Sequence, residues 1–293
     1  MNLLRVIKML ALEAFSADSL VREPEPSAAM DSAENVEAFD QQGLQEGPMM
    51  PLYHFNSLAI SRLLPEGGRL LDLGSGSGRL LAHLAAGRPD VEILGLELAQ
   101  PMVDLGNRMF ERKGLLPRVR LERGDMTAFG TRPFDRLDAI SINLALEHLE
   151  DFSAVQTLVA HVGESARKFG CGFWLFNHTR PKTRAVAALF PEAMTPEAPP
   201  HFKADSRNSL IASWRYSELL PVLRSALGDR LHGRVSRLLP FYLAFWADST
   251  ARKGTSGLWQ GPARPPGRAG QDFAMFRALL LPDVPLDTPR QRV

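Results

Sequence analysis

At 293 residues the chain has room for one large domain, or for a core with a smaller cap. Hydrophobic residues make up 45% and charged residues 23%, a balance that supports a soluble globular core, and a net charge of +1 leaves no whole-protein field for nucleic acid. A single cysteine, Cys171, excludes an internal disulfide and fits a reducing, cytoplasmic setting.

The first fifteen residues are apolar, but Lys8 and Glu13 interrupt them, which leaves the stretch short of a normal secretory core. Leu3, Ile7, Leu10 and Ala14 recur at helical spacing, so this segment is expected to be an amphipathic helix that packs on the body or caps a site. Residues 16–52 are mixed and rich in Pro and Gly, with a short helix expected over Asp31–Phe39. Tyr53–Leu64 reads as a helix ended by Pro65-Glu66-Gly67-Gly68. Strand and helix signals then alternate. Strands are expected at Arg69–Leu73, Val91–Glu97, Val119–Arg123, Leu137–Ile142 and Gly172–Phe176, and helices at Arg79–Ala86, Pro101–Lys113 and Phe152–Lys168. Such alternation predicts a parallel sheet with helices on both faces. Residues 178–213 break the rhythm with five prolines and read as an inserted lid. A helix follows at Ser217–Leu227, capped by Ser217 and stopped by Gly228. Leu231–Leu239 and Phe241–Ala247 read as an antiparallel pair, Gln260–Gly270 as a solvated linker and Gln271–Leu281 as a last short helix. The expected organisation is an N-terminal cap (1–52), a main domain (53–250) and a C-terminal linker with a short helix (251–293). No apolar run approaches the roughly 18 residues of a membrane-spanning helix.

The strand ends carry the chemistry. Ligands of open parallel sheets bind at the carboxyl ends of the strands, where the strand order reverses. The first strand ends in Asp72 and the run Gly74-Ser75-Gly76-Ser77-Gly78. Alternate glycines permit a tight turn and close approach of a ligand to the backbone. The acid before them suits a cationic ligand rather than a phosphate. Glu97 ends the second strand, where a carboxylate can accept both ribose hydroxyls. Asp125 and Met126 follow the third strand, placed to accept from an adenine amino group and to flank the ring. Asn143 follows the fourth. A dinucleotide fingerprint would place its third glycine where Arg79 stands, so a single adenosine-like ligand fits better.

These residues resemble the motifs of the class I S-adenosylmethionine-dependent methyltransferases. Leu71–Gly78 is similar to the family's first motif, Glu97–Met102 to its second, Gly124-Asp125-Met126 to its third and Asp135–His148 to its fourth. The resemblance implies a seven-stranded Rossmann-like sheet, six strands parallel and one antiparallel, with helices on both faces. It implies S-adenosylmethionine as cofactor, bound by Asp72, Gly74, Ser75, Gly76, Gly78, Glu97, Leu98, Met102, Asp125, Met126 and Asn143. Gly74 and Gly76 would lie along the methionine part and Asp72 would hold its amino group. Asn143 would bring its carbonyl or its amide near the same amine.

Beyond the cofactor, His148 and His178 are candidate proton acceptors, because each follows a strand's carboxyl end and histidine titrates near working pH. Tyr53, His54 and Asn177 are candidates for the substrate side, whereas His83 and His161 are expected on helix exteriors without a role. Relatives that methylate amino groups of nucleobases or glutamine carry Asn-Pro-Pro-aromatic at the fourth motif. Here the sequence is Asn143-Leu144-Ala145-Leu146. With the near-zero charge, this points away from nucleic acid and toward a small-molecule acceptor enclosed by the lid and cap. No metal and no membrane partner is implied. Two other readings share the same cofactor motifs: transfer or cyclisation of the aminocarboxypropyl arm, and a non-catalytic cofactor-binding protein.

Overall fold

The computed structural model describes residues 2–26, 48–251 and 258–287. The helix expected over Asp31–Phe39 lies outside the described residues.

One seven-stranded sheet organises the chain, with β1 (Arg69–Leu73), β2 (Glu92–Glu97), β3 (Val119–Arg123), β4 (Ala139–Asn143), β5 (Gly172–His178), β6 (Leu231–Val235) and β7 (Tyr242–Ala247) in the order β3-β2-β1-β4-β5-β7-β6. The pairings among β3, β2, β1, β4 and β5 are parallel, and β7 runs antiparallel between β5 and β6. The chain leaves β3 at one edge and re-enters at β4, on the other side of β1. The reversal therefore opens a crevice at the carboxyl ends of β1 and β4.

Helices cover both faces. Those of the domain are α2 (Met50–Leu63), α3 (Arg79–Gly87), α4 (Gln100–Arg112), α5 (Phe152–Phe169) and α8 (Tyr216–Leu227). The alternation of strand side chains decides which residue meets which layer. Leu70 packs into the cluster formed with α2, α3 and α4, whereas Leu71 and Leu73 pack into the cluster formed with α5 and α8. The strands are apolar on both faces because both are covered.

Several elements differ from the sequence expectation. The first helix, α1 (Leu3–Phe15), seats Val6 and Met9 against α6 (Arg184–Met194), while Leu3 and Ile7 of the expected core stripe face outward with Leu4 and Phe15. Apolar residues surround this helix, so periodicity could not select the seated face. The choice is made by specific bonds: Glu13 accepts from Lys182 N–H and Asn2 N–H donates to Ala193 C=O. The inserted lid is two helices, α6 and α7 (Pro200–Ala212), packed on each other. Ser217 is not the cap of α8; Arg215 holds that place, and Glu218 returns a bond to its backbone N–H at 2.7 Å.

The C-terminal segment is packed on either side of the expected linker, whose residues 262–264 and 266–268 are exposed. Trp259 is buried over Gly87, and Asp287 accepts from Ser61 Oγ at 2.8 Å and from Trp259 N–H at 3.0 Å. A final helix, α9 (Gly267–Met275), completes this layer against α2. His54 and His83 meet within it, Nδ1 to Nε2 at 3.0 Å, and His54 Nε2 lies 3.2 Å from Ala263 C=O. Burial lowers both pKa values, His83 to about 4.

Arg88 joins α2 to the sheet. Its fully buried guanidinium bonds Asp90 through two nitrogens, each at 2.8 Å, and donates to the carbonyls of Ser61, Leu64 and Pro65. Removing the guanidinium leaves those acceptors unpaired in a dry site. Arg88→Ala is expected to lower the unfolding free energy by about 3–5 kcal/mol. Urea denaturation would measure it, and a loss below about 1 kcal/mol would show that water replaces the side chain.

Candidate active site

The crevice at the carboxyl ends of β1 and β4 is a cavity of about 930 Å³. Its floor is the turn after β1. Gly74, Gly76 and Gly78 all have positive φ, at 72°, 55° and 73°. A side chain at each would meet something different. At Gly74 a Cβ would come within 2.5 Å of Ala145 Cβ, because the turns after β1 and β4 touch there. At Gly78 it would strike Phe110. At Gly76 it would meet nothing within 4 Å, because that position opens on the cavity. Gly78 thus serves helix packing and does not line the cavity, whereas Gly74 and Gly76 do.

Glu97 ties this turn to the end of β2. Its two oxygens accept from Gly76 N–H at 2.8 Å and Ala99 N–H at 2.9 Å. A carboxylate has about four acceptor sites, so half of them remain for a diol. Asp125 spends Oδ1 on capping the turn Met126–Thr131 through Thr127 N–H and Oγ1, and it too lines the cavity. Met126, Met102, Leu98 and Ser75 complete this wall.

Asp72 is 2% exposed at the edge of the cavity. The parallel register sets Ser141 beside it, and Ser141 Oγ donates at 2.5 Å. Asn143 Nδ2 donates at 3.1 Å, and its Oδ1 accepts from Trp174 Nε1 at 3.1 Å. Trp174 Nε1 also lies 2.8 Å from Asn56 Oδ1 on α2. The amide of Asn143 is therefore committed to orienting Asp72 rather than turned to a ligand. Burial pushes the Asp72 carboxyl up to about 6, against the bonds from Ser141, Ser75 and Asn143 that favour its charged form.

The residue directly after β4 is strained. Leu144 has φ 50°, a left-handed conformation that costs a non-glycine residue about 1–2 kcal/mol. Asn177 accepts from Ala145 N–H at 3.1 Å, bonds Glu147 Oε2 at 2.9 Å, and is buried away from the cavity. It shapes this turn from behind and is not on the substrate side. Tyr53 and His148 do line the cavity. His54 and His178 do not. His178 is walled in by Phe190 and Tyr242, and burial drives its pKa down to about 4. His161 is not on an exposed face either: it bonds Thr127 C=O and packs on Phe129.

Residues that sequence reasoning did not single out also line the cavity, among them Glu25, Asn56, Arg79, Arg123 and Glu150. Pro24-Glu25-Pro26 could have been noticed, because an acid between two prolines is held extended. Nothing in the sequence indicated which part of the fold it would reach.

The residues present fit S-adenosylmethionine. The methionine amino group is a cation, and Asp72 is a buried carboxylate held by neutral donors; Gly76 offers an open backbone surface; Glu97 and Asp125 keep free acceptor sites. The fold, and the placing of these residues at its strand ends, resemble those of the class I S-adenosylmethionine-dependent methyltransferases. Residues 70–165 of the chain match the family described as a methyltransferase domain.

Similar proteins include the release factor glutamine methyltransferase of Rhodospirillum rubrum, 42% identical over 69 residues, covering 24% of this chain and 21% of that protein. The ubiquinone biosynthesis O-methyltransferase of Xanthomonas axonopodis pv. citri is 26% identical over 58% of this chain and 71% of its own length. The chain thus spans about a fifth of the first of these relatives. Among solved structures, the plantazolicin methyltransferase BpumL in complex with SAH has a TM-score of 0.55 at 12% identity, over 84% of this chain and 99% of its own. A methyltransferase from Aquifex aeolicus gives 0.51 at 15% identity, over 74% and 97%. At these identities the likeness is one of fold.

Two substitutions test the cofactor side. Gly76→Arg is expected to abolish S-adenosylmethionine binding by calorimetry, because the side chain would enter the cavity; unchanged affinity would move the ligand elsewhere. Asp72→Asn is expected to weaken binding of the cation while leaving the fold as stable or more so at neutral pH. An acid whose folded pKa is raised stabilises the fold at low pH and loses that contribution as pH rises from its ordinary 3.8 through about 6. The variant should therefore gain on the wild type in melting temperature above that window, and a variant that melts lower there would contradict the raised pKa.

Proposed function

We propose that the protein transfers the methyl group of S-adenosylmethionine to a small-molecule acceptor. The observation that carries this reading is one continuous cavity that joins the cofactor-side residues at the strand ends to a second wall of Pro24, Glu25, Met49, Tyr53, His148 and Leu149. Ligand pockets run from about 300 to 1,000 Å³, so about 930 Å³ accommodates a nucleoside cofactor with a compact acceptor beside it.

The charge of the wall supports a small acceptor over a nucleic acid. Among the described lining residues, Glu25, Asp72, Glu97, Asp125 and Glu150 outnumber Arg79 and Arg123, and a polyphosphate backbone requires the reverse. Some similar proteins are named for RNA substrates, such as the ribosomal RNA small subunit methyltransferase G of a Mycobacterium strain, 30% identical over 29% of this chain. The demethylmenaquinone methyltransferase of Thermus thermophilus, 32% identical over 29%, is named for a small molecule. The turn after β4 lacks the proline pair and aromatic of the amino-methylating relatives and takes the strained Leu144 instead.

In this reading the sulfonium cofactor supplies an electrophilic methyl group. The chain supplies alignment and removes water. Asp72 and the Gly74–Gly76 turn hold the amino acid end, Glu97 and Asp125 the nucleoside end. His148 and Tyr53 face the acceptor.

Incubation with S-adenosylmethionine and a cell metabolite extract, followed by mass spectrometry of the nucleoside, tests the reaction. S-adenosylhomocysteine appearing only with extract is the expected result. Methylthioadenosine formed without extract would replace methyl transfer by reaction of the aminocarboxypropyl arm.

A further inference from the structure

The acceptor wall is built from parts remote in sequence. After α1 the chain runs back across the turn Leu146–His148 as an extended strap, residues 17–26. Arg22 pins it there. Its guanidinium lies 3.9 Å over the Trp214 ring and donates to Ala212 C=O at 2.6 Å, to Glu150 C=O at 2.7 Å, and to the carbonyls of Glu147 and Leu149. Two of these carbonyls flank His148 directly. Three residues beyond Arg22, Glu25 reaches the cavity with both oxygens engaged. Oε2 accepts from His148 Nδ1–H at 2.5 Å, and Oε1 accepts from Ser209 Oγ on α7 at 2.6 Å. His148 is 41% exposed and lines the cavity.

Resting on the methyltransferase reading, we propose that Glu25 is the positioning carboxylate of a Glu25–His148 dyad that presents Nε2 of His148 to an acidic hydroxyl of the acceptor. With Nδ1 bonded to Glu25, the neutral ring carries its free lone pair on Nε2. The balance is simple. The acceptor O–H bond breaks and its proton passes to Nε2. The oxygen electron pair forms the bond to the methyl carbon. The carbon–sulfur bond breaks toward sulfur, leaving a neutral thioether. The positive charge ends on the imidazolium, beside the Glu25 carboxylate. A neutral amine acceptor needs no such base before attack, whereas a hydroxyl does.

The charged groups around the ring set the pH at which it can act: as an imidazolium it cannot accept a proton, and the neutral base forms as pH rises toward about 9. Burial disfavours the imidazolium, but the bond to Glu25 and the charges of Glu147 on its own turn, Glu25 on the strap and Asp205 on α7 push His148 up to about 9. Burial pushes Glu147 and Asp205 each up to about 6. Burial would also raise Glu25, yet its bond to His148, the charge of His148 and the Ser209 hydroxyl hold it below its ordinary value. Outside this cluster, charge on His178 would lower Glu25 and charge on His201 would lower Asp205, each as the smallest of the named influences. A phenol-type hydroxyl ionises near about 10, close to the ring that receives its proton.

The test is nitrogen-15 NMR of histidine-labelled full-length protein without cofactor, from about pH 5 to about pH 10, with His148 assigned by loss of its signals in His148→Gln. The wild-type ring should keep its charged signature well above pH 6.5 and become the Nδ1–H tautomer when neutral. In Glu25→Gln the midpoint should fall by more than about one unit and the tautomer preference should be lost. Ser209→Ala, which keeps the carboxylate but frees its second oxygen, should leave the midpoint at or above the wild-type value and serves if Glu25→Gln does not fold; a midpoint that falls to the ordinary 6.5 in that variant overturns the pairing. An unmoved midpoint and tautomer in folded Glu25→Gln overturns the dyad. Calorimetry with S-adenosylmethionine separates the two levels of the argument. Equal affinity in wild type and variant is expected. No binding by the wild type overturns the methyltransferase reading on which the dyad rests, and a loss confined to Glu25→Gln places Glu25 on the cofactor and overturns its acceptor role.

Discussion

A carboxylate held out of water at the end of β1 sets the terms for the rest of the site. Desolvating a charge is costly, and Asp72 is kept in place by neutral groups: a hydroxyl from β4, an amide from the turn after it and the hydroxyl of Ser75. The register of β1 against β4 makes that set available, since Ser141 stands directly opposite Asp72 and Asn143 follows two positions later on the same face. Trp174 on β5 and Asn56 on α2 then fix Asn143 in turn. Four elements are thereby locked around one acid. The arrangement costs stability at neutral pH and gains a preformed seat for a cation.

The two halves of the cavity differ in origin. The cofactor half is made by strand ends and the turns directly after them, so its geometry follows from the sheet. The other half is lined by a strap from before the domain, by α2 and by a strained turn after β4, with Ser209 of the inserted helix α7 bonding the strap from behind. Arg22 links these parts by binding carbonyls from the turn and from the end of α7. A common cofactor with a variable acceptor is served by this division, because the insertions can change without disturbing the sheet.

Much of the fold was legible in the sequence. Strands β1 and β3 fall where the apolar runs place them, and the sheet is seven-stranded with one antiparallel member. The glycine turn, Glu97 and Asp125 were legible because each must follow a strand to act. The histidines were not separable by the same logic. His148 and His178 both follow strands, but Phe190 and Tyr242 close over one while the other faces the cavity. Tyr53 and His54 are neighbours on one helix and point to different surroundings, one to the cavity and one to His83 and Trp259.

The sequence by itself determined the alternating strands and helices, the parallel sheet and the cofactor end of the site. Those features depend on local periodicity and on residues next to strand ends, and such information is short-range. Only the tertiary structure decided which face of α1 is seated, that the C-terminal segment is packed, and that Glu25 meets His148 across 123 positions of chain. Each of these rests on one or two hydrogen bonds or buried rings between segments far apart in sequence. No periodicity records such contacts, because the residues involved carry the same local pattern whether or not the partner arrives.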